Sequence, residues 1–305
     1  MLKCPMDVLA QFPVRKSKQQ KKNFRDAVQT YAAGLGYAAT VEEGPFGTRN
    51  LVMGDPEKAA FLVTAHYDTP AASLIPNAVA PNSWLRFYGK VIGIVFFCAL
   101  IGFSGGYLMG KGYWVPGILL LSLSVLLMPL LRMGCANKNN ANDNTSGVVT
   151  VLEIMRTLLP SYRDKVCFVL FDLEEAGLVG SRQYRKVHKA ATEHQLVLNL
   201  DCVGDGDEIW FFPSKKLKED VSAMASLRRC TGWFGQKNIC LREKGFFQYA
   251  SDQKNFPISV GIGAFHNKKG AGPYLTRIHT KQDTILEETN VNILRACIST
   301  LISAQ

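Results

Sequence analysis

The chain has 305 residues, 47% of them hydrophobic, and carries 35 Lys and Arg against 25 Asp and Glu for a formal net charge of +10. This length can bury a full core, in one large α/β domain or two modest ones. The charge favours anionic surroundings. The basic residues are scattered apart from RKSKQQKK at 15–22, however, and no aromatic-and-basic stripe or nucleic-acid motif accompanies that run. This argues against a nucleic-acid partner and leaves a solvated helix start or a lipid-facing patch. The eight cysteines show no CxxC pair and no zinc-finger spacing, and two lie in apolar strand-like runs, as expected of reduced, buried thiols in a cytosolic compartment. MLKCPMDVLAQFPVRKSKQQ lacks an unbroken apolar stretch and a small-residue cleavage site, so no cleaved signal peptide is expected.

In chain order, Phe24, Val28 and Tyr31 recur at helical spacing within 17–33, and Gly34 and Gly36 end the pattern, which predicts an amphipathic outer helix. GPFGTRNLVMGDPEKAAFLVTAHYD then offers two apolar strands around GDPEK, a hairpin or near-hairpin whose second strand delivers His66 at its end. Further strands are predicted at 165–172, 194–201 and 258–265, with helices at 146–159, 178–190, 215–229 and about 285–303. Such alternation, with nearly continuous apolar strands, predicts a three-layer α/β sandwich around a mixed, mainly parallel sheet. Ligand sites in such sheets lie beyond the carboxyl ends of the strands, where His66, Glu174, Glu175 and Asp201 fall. No internal repeat or low-complexity tract is present.

One segment breaks this alternation. VIGIVFFCALIGFSGGYLM (91–109) and GYWVPGILLLSLSVLLMPLL (112–131) hold no charged residue, and Lys111 stands between them. A helix of about 20 residues, at about 1.5 Å per residue, crosses a hydrocarbon core of about 30 Å. The segment therefore reads as an α-helical transmembrane hairpin contacting lipid through 91–131; the alternative is a buried helical hairpin or hydrophobic lid of a soluble enzyme. Arg86, Lys90, Arg132 and Lys138 flank it while Lys111 alone marks the turn, so the positive-inside rule puts both ends in the cytoplasm.

Five polar stretches surround this segment: HYD with His66 and Asp68, NDN with Asp143, FDLEEAG with Glu174 and Glu175, NLD with Asp201, and RIHTKQDT with His279 and Asp283. A hydrolytic dinuclear centre needs two divalent ions about 3.5–4 Å apart, a bridging carboxylate, further N/O ligands on each ion and a separate carboxylate to take a proton from water. Adjacent glutamates after a strand can face different ways and so divide those duties. Singly, each signal is weak, since an EE pair is commonly a solvated helix start and a lone His is commonly a satisfied core or surface residue.

Together, and in this order, HxD, DN(T)SG, EE, NLD and HTxxDT resemble the co-catalytic zinc aminopeptidase family that includes aminopeptidase S, aminopeptidase Y and the peptidase-like domain of glutamate carboxypeptidase. The resemblance covers roughly residues 20–83 and 136–305. It implies a zinc-dependent peptidase, an aminopeptidase first, acting on peptides with two Zn2+, for which Co2+ or Mn2+ could substitute. Asp143 would bridge the ions, His66 and Asp201 would complete one site, and Glu175 and His279 the other. Glu174 would be the general base, and Asp68 would hold the second nitrogen of His66, turn capping being the plainer reading of Asp68. Asn142, Asn144 and Ser146 would shape a turn and cap the next helix, with Gly147 permitting close approach. Asp172 would be structural, Asp283 would buttress the His279 loop, and His188, His194 and His266 have no matching position. Some family members place Tyr before the last ligand; Ile278 stands there in this chain, with Tyr274 or Tyr249 as substitutes.

The expected organisation is thus an interrupted peptidase domain, 1–83 and 136–305, with the hairpin at 84–135. Competing readings are a metal-free, catalytically inactive membrane scaffold or binding protein with a peptidase-like domain, and a single-zinc aminoacyl cyclase.

Overall fold

The computed structural model describes residues 2–73, 79–132, 134–244, 249, 251–268 and 272–304. The N-terminal segment forms a short helix, α1 (Asp7–Gln11), and then α2 (Lys18–Gly34). Ser17 caps α2 by accepting from the Gln20 amide, and the Gln20 side chain reciprocates at the cap, satisfying two amides that the first turn would otherwise strand. Phe24 and Val28 face the core as their spacing predicts, Tyr31 packs against it partly buried, and Ala32 completes the buried face. The basic run is less solvated than expected: Arg15 is fully buried, and Lys21 is buried in an ion pair with Asp172 at 2.7 Å.

Strands β1 (Ala39–Glu43), β2 (Arg49–Met53), β3 (Phe61–His66), β4 (Val166–Phe171), β5 (Leu196–Leu200), β6 (Glu208–Pro213), β7 (Gly232–Phe234), β8 (Lys237–Leu241), β9 (Ser259–Lys268) and β10 (Gly272–Tyr274) form one sheet. Its order is β1-β2-β4-β3-β5-β9-β6-β8-β7, and β10 pairs with β9. The central run β4-β3-β5-β9 is parallel, while β1/β2, β2/β4, β6/β9 and β7/β8 are antiparallel. The mainly parallel expectation therefore describes the centre, and the margins are mixed. The hairpin expected of β2 and β3 does not form, because β4 lies between them and pairs with both.

Successive strand residues enter opposite layers, as the two-residue period of a strand demands. Phe61, Val63, Phe168, Leu170, Leu198 and Leu200 pack on one face with α2, α5 (Gly147–Thr157) and α10 (Glu288–Ser303). Leu62, Cys167, Val169, Phe171 and Val197 pack on the other with Tyr184 of α6 (Val179–Val187). The predicted helix at 178–190 is broken into α6 and α7 (Lys189–Thr192), and that at 215–229 into α8 (Lys215–Lys218) and α9 (Val221–Arg229), which Asp220 caps. Cys167, Cys202, Cys230 and Cys297 are buried, but Cys4 and Cys135 are exposed, so burial of thiols is only half the pattern.

Helices α3 (Trp84–Gly110) and α4 (Trp114–Arg132) occupy the apolar segment. They pack chiefly on each other, closely enough that a Cβ on Gly117 would lie 2.8 Å from the Gly105 carbonyl oxygen. Among the described residues, Val91–Gly110 is long and apolar enough to cross a membrane, with mean hydropathy 2.1, and Trp114–Leu127 is a shorter apolar helix. Phe96, Phe97, Phe103, Trp114, Leu119 and Leu126 are exposed on the pair. The side chains of Arg86, Lys90 and Arg132 lie outside the described residues. At the base of the pair the two flanks meet: the Ala72 amide donates to Cys135 O at 2.8 Å and the Asn137 amide to Pro70 O at 3.1 Å. This brings Asp68 and Asp143 together although 75 positions (143 − 68) separate them in the chain.

Candidate metal centre

The site forms where the parallel strands end. His66 is the last residue of β3, Asp201 follows β5 directly, and Glu174 and Glu175 lie just beyond β4. His66 Nε2 is 3.4 Å from Asp143 Oδ1 and 3.6 Å from Asp201 Oδ1. His279 Nε2 is 2.9 Å from Asp143 Oδ2 and 3.6 Å from Glu175 Oε1. Two ligand sets result, His66-Asp143-Asp201 and Asp143-Glu175-His279, each with its donor atoms within 4.8 Å of one another. Asp143 belongs to both, and Glu174 to neither although it lines the same pocket.

Three supports hold these ligands. The His66 ring donates from Nδ1 to the main-chain oxygen of Asp68 at 3.1 Å, which leaves the Nε2 lone pair free for a cation. The Asp68 carboxylate is farther from that nitrogen, at 3.6 Å, and accepts instead from the amides of Glu174 (3.0 Å) and Glu175 (3.2 Å). The expected task of Asp68 is thus shifted: its backbone orients His66, and its side chain sets the two glutamates. Asp283 likewise differs from expectation, since its carboxylate accepts from the amides of Asn142 (2.7 Å) and Asp143 (3.0 Å) and so braces the Asp143 turn. Asn144, not Ser146, caps α5, accepting from the Gly147 amide and also from Cys202 while donating to Leu200 O. Ser146 donates to Asn142 O and accepts from the Val203 amide.

Leu173, Cys202 and His279 adopt positive φ (57°, 53° and 61°), each at or beside a site residue. Non-glycine residues held there cost about 1–3 kcal/mol each and persist where the surroundings over-determine them. The electrostatics call for cations. Burial raises Glu174 well above the usual carboxylate range, opposed by His66 and reinforced by Glu175. Burial pushes Glu175 up to about 8 against the pull of His279, and its Oε1 is buried with no hydrogen-bond partner. Asp143 is held low in spite of burial by the His279 and His66 imidazoles beside it. Imidazoles, carboxylates and an unpartnered buried oxygen form a donor set that fits zinc.

The pocket has a volume of ≈ 180 Å³, and Val79, Leu275 and Ile278 give it an apolar wall. Of the two tyrosines named above, Tyr249 lines it and donates to the main-chain oxygen of Asp201; Tyr274 lies on β10 beside His266. Asp172 is structural, as expected, and His188 and His266 are engaged by Glu42 and Glu57 and by Asp205. Sequence reasoning missed Asp252, fully buried, pushed up to about 7 by burial, and one of the charges acting on Glu174. It also missed Arg15 behind the site; lone residues in ordinary loops carry no spacing signal.

Two clusters of N/O donors that could each hold a metal ion, sharing a carboxylate at the strand ends of a three-layer domain, are what a metallohydrolase needs. Residues 129–304 match the family described as Peptidase family M28. The match spans more than half of the chain, which therefore belongs to that family and is a metallopeptidase. His66 and Asp68 precede the matched stretch and join it through β3. No curated protein matches the sequence. Among solved structures, the fold is similar to that of the Legionella pneumophila LapA aminopeptidase (14% identity, 98% of this chain and 70% of that one, TM-score 0.59). It is also similar to Macrostomum lignano glutaminyl cyclase (13%, 98% and 88%, 0.55) and to BSAP, a zinc aminopeptidase from Bacillus subtilis (17%, 84% and 50%, 0.50). At these identities the likeness is one of fold, and the chain spans about half the length of the Bacillus protein.

Proposed function

We propose that the protein is an aminopeptidase with two zinc ions, held by His66 and Asp201 on one side, Glu175 and His279 on the other, and Asp143 between. The observation that carries this reading is the pair of ligand sets meeting at Asp143, with Glu174 left outside both. Bound zinc supplies Lewis acidity and lowers the pKa of water at the site. Glu174 takes the proton from that water and passes it to the leaving amine. Tyr249 lines the pocket, but its hydroxyl hydrogen is given to the main-chain oxygen of Asp201, so we assign it to holding the Asp201 turn and not to the developing oxyanion. The choice of a free N-terminus rests on the family and on the likeness in fold to zinc aminopeptidases, since the carboxylates of the pocket are already engaged as ligands and base in this reading. The apolar wall suits an uncharged first side chain.

The hairpin at 84–135 serves as an integral membrane anchor in this reading, with the catalytic domain on the cytoplasmic side. It is supported by the exposed apolar surface of α3 and α4 and by the flanking basic residues. Because Val79 lies close to the start of α3, the pocket stands near the base of the anchor, and peptides released at or near the membrane are the natural substrates.

The test is metal content with a survey of short peptides and aminoacyl-nitroanilides bearing free or blocked N-termini. We expect close to two zinc equivalents, hydrolysis only of free N-termini, loss on chelation and recovery with zinc or cobalt. Full activity with at most one metal overturns the dinuclear reading; one metal with cyclisation of N-terminal glutamine replaces it with the cyclase.

A further inference from the structure

We infer that Arg15 is a positioning residue for the metal centre, tying the His66 turn to the Asp143 turn from behind and placing a fixed positive charge beneath them. This rests on the metal reading above. Arg15 is 0% exposed. Its Nε donates to the main-chain oxygen of Tyr67 at 2.5 Å, between His66 and Asp68. Its Nη1 donates to Thr145 Oγ1 at 3.1 Å, two residues past Asp143, and to Phe12 O at 2.6 Å. The Arg15 amide donates to Thr69 Oγ1 at 3.0 Å, and the Thr69 amide returns to Arg15 O at 3.3 Å. Nearby, Asn140 donates to Pro13 O at 2.8 Å. The segment before α2 is therefore laced to both ligand-bearing turns.

No carboxylate accepts from this guanidinium among the described hydrogen bonds. It lies with Cζ 5.3 Å from the centre of the Phe24 ring, and Asp68 and Asp143 are the principal charges acting on it. Burial draws it down to about 10, which still leaves it cationic at neutral pH. A buried cation without a direct ion-pair partner is costly, and a purely structural pin between two backbones needs no charge. The charge has a use where Asp68, Asp143, Asp201, Glu174 and Glu175 crowd together, since it offsets their mutual repulsion. The planar fork has another, because one rigid group reaches acceptors on two turns at once.

The test compares Arg15→Gln, Arg15→Lys, Thr145→Val and Val28→Ala, the last being a core control on α2 away from the site. Thermal unfolding of each is measured, with zinc transfer to a competing chelator and the separate effects on kcat and KM. Supporting partners of metal ligands are worth about 10–100-fold in affinity or activity. We expect Arg15→Gln to weaken zinc retention by that order and to lower kcat more than KM. Arg15→Lys should recover part of the retention, Thr145→Val should lose a few-fold, and Val28→Ala should hold zinc like the wild type despite a lower melting temperature. Wild-type retention in Arg15→Gln overturns the inference, as does equal loss in Val28→Ala. If Arg15→Gln does not fold, unchanged zinc retention in Thr145→Val overturns it. A wild-type protein that binds no zinc overturns the metal reading and this inference together, whereas zinc binding unaffected by Arg15 variants overturns this inference alone.

Discussion

Replacing Gly147 with alanine should separate the two ligand-bearing segments that meet at the start of α5. Gly147 has an ordinary helical φ of −62°, so space and not backbone freedom is what the position requires. A Cβ there would lie 2.4 Å from Leu200 O, 2.5 Å from Asn144 Oδ1 and 2.8 Å from Asn144 Nδ2. Leu200 immediately precedes the ligand Asp201, and Asn144 immediately follows Asp143. The Asn144 side chain makes three hydrogen bonds, to Leu200 O and from the amides of Gly147 and Cys202. Overpacking costs about 1–3 kcal/mol. Displacing Asn144 puts roughly 3 kcal/mol more at risk, at about 1 kcal/mol per bond. Alanine returns at most about 1 kcal/mol of helix propensity. We expect a net loss of about 3–5 kcal/mol, or roughly 5–8 °C in melting temperature for a chain of 305 residues. The assay is thermal unfolding in chelator, which isolates packing from metal linkage, followed by zinc content after reconstitution. Gly34→Ala, where a Cβ meets nothing within 4 Å, should be nearly neutral. A Gly147→Ala protein that melts within 2 °C of the wild type, a limit of about 1.3 kcal/mol, and retains its zinc would refute the reasoning.

Other outcomes follow from the same geometry. Glu174→Gln should keep its zinc while kcat falls by at least about 10²–10⁴-fold, whereas Glu175→Gln should lose metal; metal analysis and steady-state kinetics would expose a reversal of the two roles. Asp283→Asn keeps the shape but weakens the brace under Asn142 and Asp143, so chelator competition should show zinc released about 10–100-fold more readily. Alkaline carbonate should leave the protein in the membrane fraction. With Cys98 and Cys135 replaced, a Lys111→Cys variant should react with an impermeant thiol reagent on intact cells; release by carbonate sinks the anchor, and labelling at Lys138→Cys in its place reverses the orientation.

Much of this protein was legible along the chain. Helix α2, the apolar strands β3, β4, β5 and β9, and α10 are visible because burial on one face or two imposes a local period. His66, Glu174, Glu175 and Asp201 are visible because each ends or follows a strand of the parallel centre, and parallel strands send their ends to one side; Asp143, in the turn before α5, and His279, in a loop beyond β10, follow none of those strands and stand out only through the motifs around them. What required tertiary structure is everything set by partners distant in sequence. The insertion of β4 between β2 and β3 depends on pairing across more than a hundred residues, which GDPEK cannot signal. The short, half-polar outer strands β1, β7 and β8 owe their state to neighbours more than to their own pattern. Arg15 sits in a basic run that reads as solvated, and only the approach of Tyr67 and Thr145 gives its guanidinium a buried home. Asp283 lies near one ligand in sequence and braces another in space. Local chemistry is written in adjacent residues, whereas hydrogen-bond partners across a fold are chosen when the core closes and each buried polar group must find an acceptor or donor within reach.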